Sequence, residues 1–327
     1  MKDFDYVLAR DAAEASAAAR RPNAVLKAGG TELLDRMKER VTVPATVVNL
    51  LTAKGLAEVS VGADAVRLGA AATLTDLVEN ADLARVAPAV VEAARETATP
   101  LVRNRGTVGG NLAQRPRCWY FRNETYECLK KGGAECFGIP GENRYLAVFG
   151  NGKCAAVHPS NLATALWALD AKIHVRDGAQ ESTLAFDAFF VAPEQDVLRE
   201  NVLTPGQVIT AVSFDAAPAR ASAYYEVNEK DSYDWALASC AVRLRLEGDR
   251  VAEARVVASA VAPTPIRLTA AEAALKDKTV GDATFAAAAE EAVKGATPLR
   301  DNAYKVVLLK TCVRRALAAA AARGRAR

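Results

Sequence analysis

Between residues 114 and 157 the chain places four of its six cysteines, Cys118, Cys128, Cys136 and Cys154, among Gly132, Gly133, Gly138, Pro140, Gly141 and Gly150. Helices and strands do not persist through turn residues at that density, so the stretch is a long irregular loop. A loop of that length inside a compact protein is usually functional. Thiolates gathered on one loop suit soft metals and iron–sulfur clusters. Nine, seven and seventeen residues separate successive cysteines, and no Cys-x-x-Cys occurs, which argues against a zinc ribbon. Four inert thiols are the plainer alternative, but so glycine-rich a loop offers no core to bury them.

Two glycine turns lie upstream. Ala28-Gly-Gly-Thr-Glu-Leu-Leu34 follows a short apolar strand and precedes a helical pattern, and Thr107-Val-Gly-Gly-Asn-Leu112 has the same character. Glycines let the backbone turn tightly and approach a ligand, and bared N–H groups receive phosphate. Neither turn is a Gly-x-Gly-x-x-Gly or a P-loop, and either alone reads equally well as a tight connection without a ligand. Two such nests in one domain fit the two phosphates of a dinucleotide better than one phosphate.

The bulk numbers exclude several classes. The 327 residues carry 42 basic and 39 acidic side chains, a net charge of +3 too near balance for nucleic-acid binding. No apolar run reaches the ~20 residues of a membrane span. Met1–Tyr6 has no hydrophobic signal core, so the chain reads as cytoplasmic by its own sequence, and periplasmic where a partner carrying a signal exports it. A reducing compartment makes metal ligation a better reading of the cysteines than disulfides.

The first fifty residues read as a β-α-β-α-β unit, with Asp11 capping the first helix. A second α/β unit follows, with a strand at 66–70, a helix from Thr75, a helix over 87–98 stopped by Pro100, a helix over 161–171 and a strand at 172–175. Strands at 223–227 and 235–246, a turn at Gly248-Asp249, a returning strand to 261 and three helical patterns form a separate α+β unit. The expected boundaries are 1–218, divided at about 54/55 and carrying the cysteine loop 114–157, and 219–327.

The pair of motifs resembles the FAD-binding medium subunit of the molybdenum hydroxylases, the family of xanthine dehydrogenase and carbon monoxide dehydrogenase. The likeness covers nearly the whole chain. It implies a two-subdomain FAD-binding domain of the vanillyl-alcohol-oxidase/PCMH type followed by an α+β domain. It implies that Lys27, Ala28, Gly29, Gly30, Thr31, Glu32, Leu33 and Leu34, with Thr107, Gly109, Gly110 and Asn111, hold FAD. Asn161, where relatives often have Asp, approaches the cofactor, and Lys230 keeps a positive charge near the reduced ring. Glu226 stands where relatives often have Lys, which puts a flavin contact there in doubt. Asp231, Tyr233 and Trp235 would help shape the flavin pocket.

The insertion Arg115-Pro-Arg-Cys-Trp-Tyr-Phe-Arg122 with its cysteines resembles the loop of bacterial periplasmic aldehyde oxidoreductases and 4-hydroxybenzoyl-CoA reductase. There it carries a [4Fe–4S] cluster, with Cys118, Cys128, Cys136 and Cys154 as the implied ligands here. His158, four residues past Cys154, is within reach of the cluster or the flavin by position, and a packed core histidine is the plainer reading. No catalytic residues of its own stand out. The implied partners are a molybdenum-cofactor large subunit and a [2Fe–2S] small subunit, as a heterotrimer or its dimer, with an external electron acceptor. A self-sufficient FAD oxidoreductase of the vanillyl-alcohol-oxidase superfamily is the alternative.

Overall fold

The computed structural model describes residues 1–231 and 233–325. Ser232, within the segment 224–235 read above as reaching the flavin, and residues 326–327, at the end of the expected C-terminal domain, lie outside the described residues.

The first unit contains β1 (Asp5–Leu8), α1 (Ala12–Ala19), β2 (Ala24–Lys27), α2 (Leu33–Lys38) and β3 (Thr46–Asn49). Its three strands are parallel in the order β1-β3-β2. Asp11 caps α1, accepting from the Glu14 N–H at 2.9 Å. Ser16 on α1 donates to the Gly206 carbonyl at 2.6 Å and accepts from the Gly178 N–H at 2.7 Å, pinning this unit to the next.

The second unit begins with β4 (Val59–Val61) and β5 (Ala65–Gly69). Short helices follow: α3 (Leu74–Glu79), α4 (Ala81–Val86), α5 (Pro88–Glu96), α6 (Pro100–Arg103), α7 (Val108–Leu112) and α8 (Trp119–Arg122). Beyond the loop come α9 (Asn161–Ala168), β6 (Lys172–Asp177), β7 (Gln180–Ala185), β8 (Gln207–Asp215) and α10 (Ala216–Ala219). The sheet runs β4-β5-β8-β6-β7, and every neighbouring pair is antiparallel. The sequence reading had no β4, β7 or β8, so it missed the central strand of this sheet. Pro100 also behaves differently from expectation. The preceding helix ends at Glu96, and Pro100 opens α6 at its first position, where its missing N–H costs nothing.

The third unit is the antiparallel sheet β12-β11-β10-β9, formed by β9 (Ser222–Asn228), β10 (Ala236–Glu247), β11 (Arg250–Ser259) and β12 (Ile266–Arg267). Helices α11 (Thr269–Leu275), α12 (Asp282–Ala292) and α13 (Tyr304–Arg325) complete it. α11 and α13 pack on this sheet, and α5 and α9 of the second unit also touch its strands. One core thus fills the space from the second sheet through α5 and α9 to Tyr224 and Val257, and another lies between the third sheet and its helices. Each fully buried leucine or phenylalanine there, such as Leu162, Leu166, Phe186 and Phe189, contributes roughly 1.5–3 kcal/mol.

Candidate functional site

The two glycine turns meet back to back. A Cβ on Gly29 would sit 1.7 Å from the Arg105 carbonyl oxygen and 2.6 Å from its carbon. Both are backbone atoms, so only glycine allows this approach. Gly30 turns with φ +81°, a conformation that favours glycine. The second turn is confined less severely: a Cβ on Gly109 would meet the Ala70 Cβ at 3.0 Å. Thr107 caps α7 by accepting from the Gly110 N–H at 3.2 Å.

Lys27 to Leu33 of the first turn and Gly106, Thr107, Gly110 and Asn111 of the second line one cavity, with Arg117 and Trp235 at its end. The backbone N–H groups of Gly29, Gly30 and Thr31 meet no backbone acceptor among the described residues. Free N–H groups in a cradle that a Cβ would fill are what a diphosphate requires.

A second cavity of about 440 Å³ adjoins the first through the same Arg117 and Trp235. Cys118, His158, Asn161, Lys230 and Leu237 are among its walls. The Arg117 guanidinium lies 4.9 Å from the centre of the Trp235 ring and 3.6 Å from an Asp35 carboxylate oxygen. This size and mixed lining suit a flat aromatic group with a polar edge.

Behind the cavity wall Glu226 accepts from Tyr224 at 2.5 Å, Asn161 at 2.7 Å and Asn228 at 2.9 Å. Burial pushes its carboxyl up to about 7, against the pull of its hydrogen bonds. Asn161 therefore faces the cavity while anchored to Glu226. Lys230 is exposed at the rim.

The cysteine loop is packed, although its sequence promises no core. Tyr120, Tyr126 and Phe137 stack together with ring centres 5.1–6.2 Å apart. A Cβ on Gly133 would lie 1.6 Å from the Glu127 carbonyl oxygen, so the turn there is as tight as that at Gly29. Half-buried Arg122 on α8 bonds Glu32 at 2.8 Å and Asp35 at 3.3 Å, tying the loop to the first glycine turn.

Cys128 and Cys154 are buried, and Cys118 and Cys136 are half-buried. Interaction between the Cys136 and Cys154 thiols pulls Cys136 down and pushes Cys154 up. Burial raises Cys118, whose thiol also feels Cys136 and Cys128. Among the described residues no three His, Cys, Asp or Glu side chains stand close enough to hold a metal ion. The expectation of four thiols gathered as ligands of one centre is therefore not borne out among the described residues: what they share is one packed loop. The Glu32 carboxylate, on the wall of the first cavity, is engaged by Arg36 at 2.6 Å and by Arg122.

Leu33 belongs mainly to the core with Met37 and Val47. Lys27 donates to its neighbour Ala28 at 3.2 Å, beside the cavity. Two contributors escaped the sequence reading: Arg117 and Arg122. The arginines alternating with aromatics around Cys118 were the available signal.

Residues 2–215 match the family described as the FAD binding domain in molybdopterin dehydrogenase, and residues 222–320 match the CO dehydrogenase flavoprotein C-terminal domain. The aldehyde oxidoreductase FAD-binding subunit PaoB of Escherichia coli (strain K12) is 33% identical over 329 residues, covering 98% of this chain and 99% of that one. The carbon monoxide dehydrogenase medium chain of Hydrogenophaga pseudoflava is 28% identical, covering 92% of this chain and 90% of that one. A solved carbon monoxide dehydrogenase from Hydrogenophaga pseudoflava, lacking the Mo-pyranopterin moiety of its cofactor, superposes with a TM-score of 0.78 at 27% identity over 98% of both chains.

Proposed function

The chain belongs to the flavoprotein family that supplies the FAD-binding domain of molybdopterin dehydrogenases, and on that premise we propose that it is the FAD-binding electron-transfer subunit of a molybdenum-containing aldehyde or aromatic-heterocycle oxidoreductase. The observation that carries this reading is the backbone contact of Gly29 with Arg105, which makes one cradle of two glycine turns. In this reading the first unit and the second, a fold of the vanillyl-alcohol-oxidase type, clasp the dinucleotide between them.

Gly29, Gly30 and Thr31 would offer N–H groups to the diphosphate, and Thr107, Gly110 and Asn111 would close its other side. Arg117 and Trp235 stand where the diphosphate cavity opens into the larger one, and Asn161 and Lys230 line the latter, which takes the flavin ring. Bound FAD would supply chemistry that takes up electrons in pairs and releases them singly. The chain orients and shields that group, and the substrate is chosen in another subunit.

The cysteine loop extends the proposal to a [4Fe–4S] cluster. A single ion holds its thiolates at about 2.3 Å and crowds them together, whereas a cube spreads them over four irons. The observation behind this extension is four thiols carried on one packed loop, two of them buried and two half-buried. Cys118 also lines the larger cavity, which would set the cluster beside the flavin. A molybdenum subunit, a [2Fe–2S] subunit and an external acceptor complete the proposed assembly.

The test is anaerobic purification of the full chain with flavin and iron–sulfide analysis, repeated for Cys→Ser at 118, 128, 136 and 154. One FAD and about four irons per chain, with iron lost on substitution, is the expected result. FAD without iron would remove the cluster and keep the flavoprotein reading. A colourless chain that takes up no FAD would remove both.

A further inference from the structure

His158 is fully buried at 1% exposure, yet its Nε2 meets no hydrogen-bond partner. Its other nitrogen is engaged: Nδ1 accepts from the Ser160 N–H at 3.3 Å. A ring nitrogen that accepts carries no proton, so the proton sits on Nε2 and that atom is a donor. Burial holds the ring neutral, pulling its titration down to about 3. The imidazole thus presents one N–H and no charge.

Backbone bonds and ring contacts hold the residue in place. Its backbone N–H donates to Ala262 at 2.9 Å, and its carbonyl accepts from Ser259 at 3.2 Å. Phe190 packs edge-on with ring centres 4.8 Å apart. Ser160 passes the constraint onward, because its hydroxyl donates to Asn111 of the second glycine turn at 2.5 Å. A buried donor left without an acceptor costs roughly 1–3 kcal/mol, so a rigid orphan marks a place for a partner. His158 is among the residues lining the 440 Å³ cavity, as are Cys118 and Asn161. Arg117, on the same wall, also has a buried Nε without a partner.

We propose that the Nε2–H of His158 donates a hydrogen bond to an acceptor atom on the rim of the flavin ring of FAD in this cavity. The inference rests on the FAD reading above and makes His158 a cofactor-binding residue. A neutral donor fixed in this way discriminates an acceptor-rich heteroaromatic ring from a purely apolar one. It also favours extra electron density on the ring atom that accepts it, which raises the ring's readiness to be reduced.

The chain has only two histidines, so imidazole ¹⁵N spectra resolve both. The full chain, freed of flavin and iron, is titrated with FAD. The His158 Nε2–H resonance is expected to move with saturation, while His174, bonded to Ser213 at 2.8 Å on β6, stays in place. His158→Phe is expected to weaken FAD binding about tenfold, and His158→Gln, which restores an N–H, to recover most of it. Saturable FAD binding with an unmoved His158 resonance would overturn the inference, and so would a Phe variant that binds as the wild type does. In that case a water or a loop sulfur satisfies the N–H. Failure of the wild-type chain to bind FAD would instead sink the FAD reading itself. If the Phe variant does not fold, the wild-type titration alone decides.

Discussion

Replacing Gly29 by alanine tests the cradle with a single methyl group. The added Cβ would lie 1.7 Å from the Arg105 oxygen, and real contacts do not fall below 3.0 Å. Neither partner is a flexible side chain, so the two turns must part by roughly 1–1.5 Å, a strain of the overpacking kind that costs about 1–3 kcal/mol. The folded domain survives that loss, because natural domains hold about 5–15 kcal/mol. Ligand binding does not survive it as well. Misplacing positioning groups by about 1 Å typically costs on the order of 100-fold. Gly29→Ala is therefore expected to lower FAD affinity about 100-fold, measured by flavin fluorescence quenching, with unfolding shifted by only a few degrees. Gly152→Ala is the control, since a Cβ there meets nothing within 4 Å. Wild-type FAD affinity in Gly29→Ala would refute the convergence of the two turns on one ligand.

Other perturbations separate the parts of the site. Gly133→Ala drives a Cβ to 1.6 Å from the Glu127 oxygen, next to Cys128, so chemical analysis should find iron depleted and FAD retained. Glu226 has its folded-state titration raised from 4.5 to about 7, so the folded chain holds this proton more tightly than the unfolded chain. Stability from this group is present below 4.5 and is lost as pH rises towards 7, by up to about 3 kcal/mol. Glu226→Gln should flatten that slope relative to wild type in urea unfolding at pH 5 and pH 8, and equal slopes would contradict it. Lys305 is buried on α13 and donates to the carbonyls of Tyr145 at 3.0 Å, Leu146 at 3.1 Å and Ala260 at 2.7 Å, all walls of the larger cavity. Lys305→Met strands the Tyr145 and Ala260 carbonyls, while Leu146 keeps its bond from Asn302, so urea unfolding should register a loss of roughly 2–4 kcal/mol.

Local signals carried much of this architecture. Asp11 is a cap because a carboxylate ahead of an alanine run has a free N–H to accept, and the two-residue Gly248-Asp249 turn joins β10 to β11 because long apolar runs flank it. What escaped was non-local. β8 pairs with β5 and β6 across long separations, and its apolar run gave no local sign of those partners. The contact of Gly29 with Arg105 spans over seventy residues, so each glycine turn alone looked like an ordinary bend. The cysteine loop read as irregular, and it is, but its order comes from Tyr120, Tyr126 and Phe137 clustering and from Arg122 reaching Glu32. His158 read as satisfied packing. Its orphaned Nε2 is visible only once Ser160 is seen to occupy the other nitrogen.

The most direct measurement is hydrogen–deuterium exchange on the full chain with and without saturating FAD. Amides of residues 28–34 and 105–112 should slow together, by the same factor and at the same FAD concentration, because one diphosphate closes both segments. Protection confined to one segment, or FAD binding that leaves both exchanging freely, would mean that the paired glycine turns are not a dinucleotide cradle.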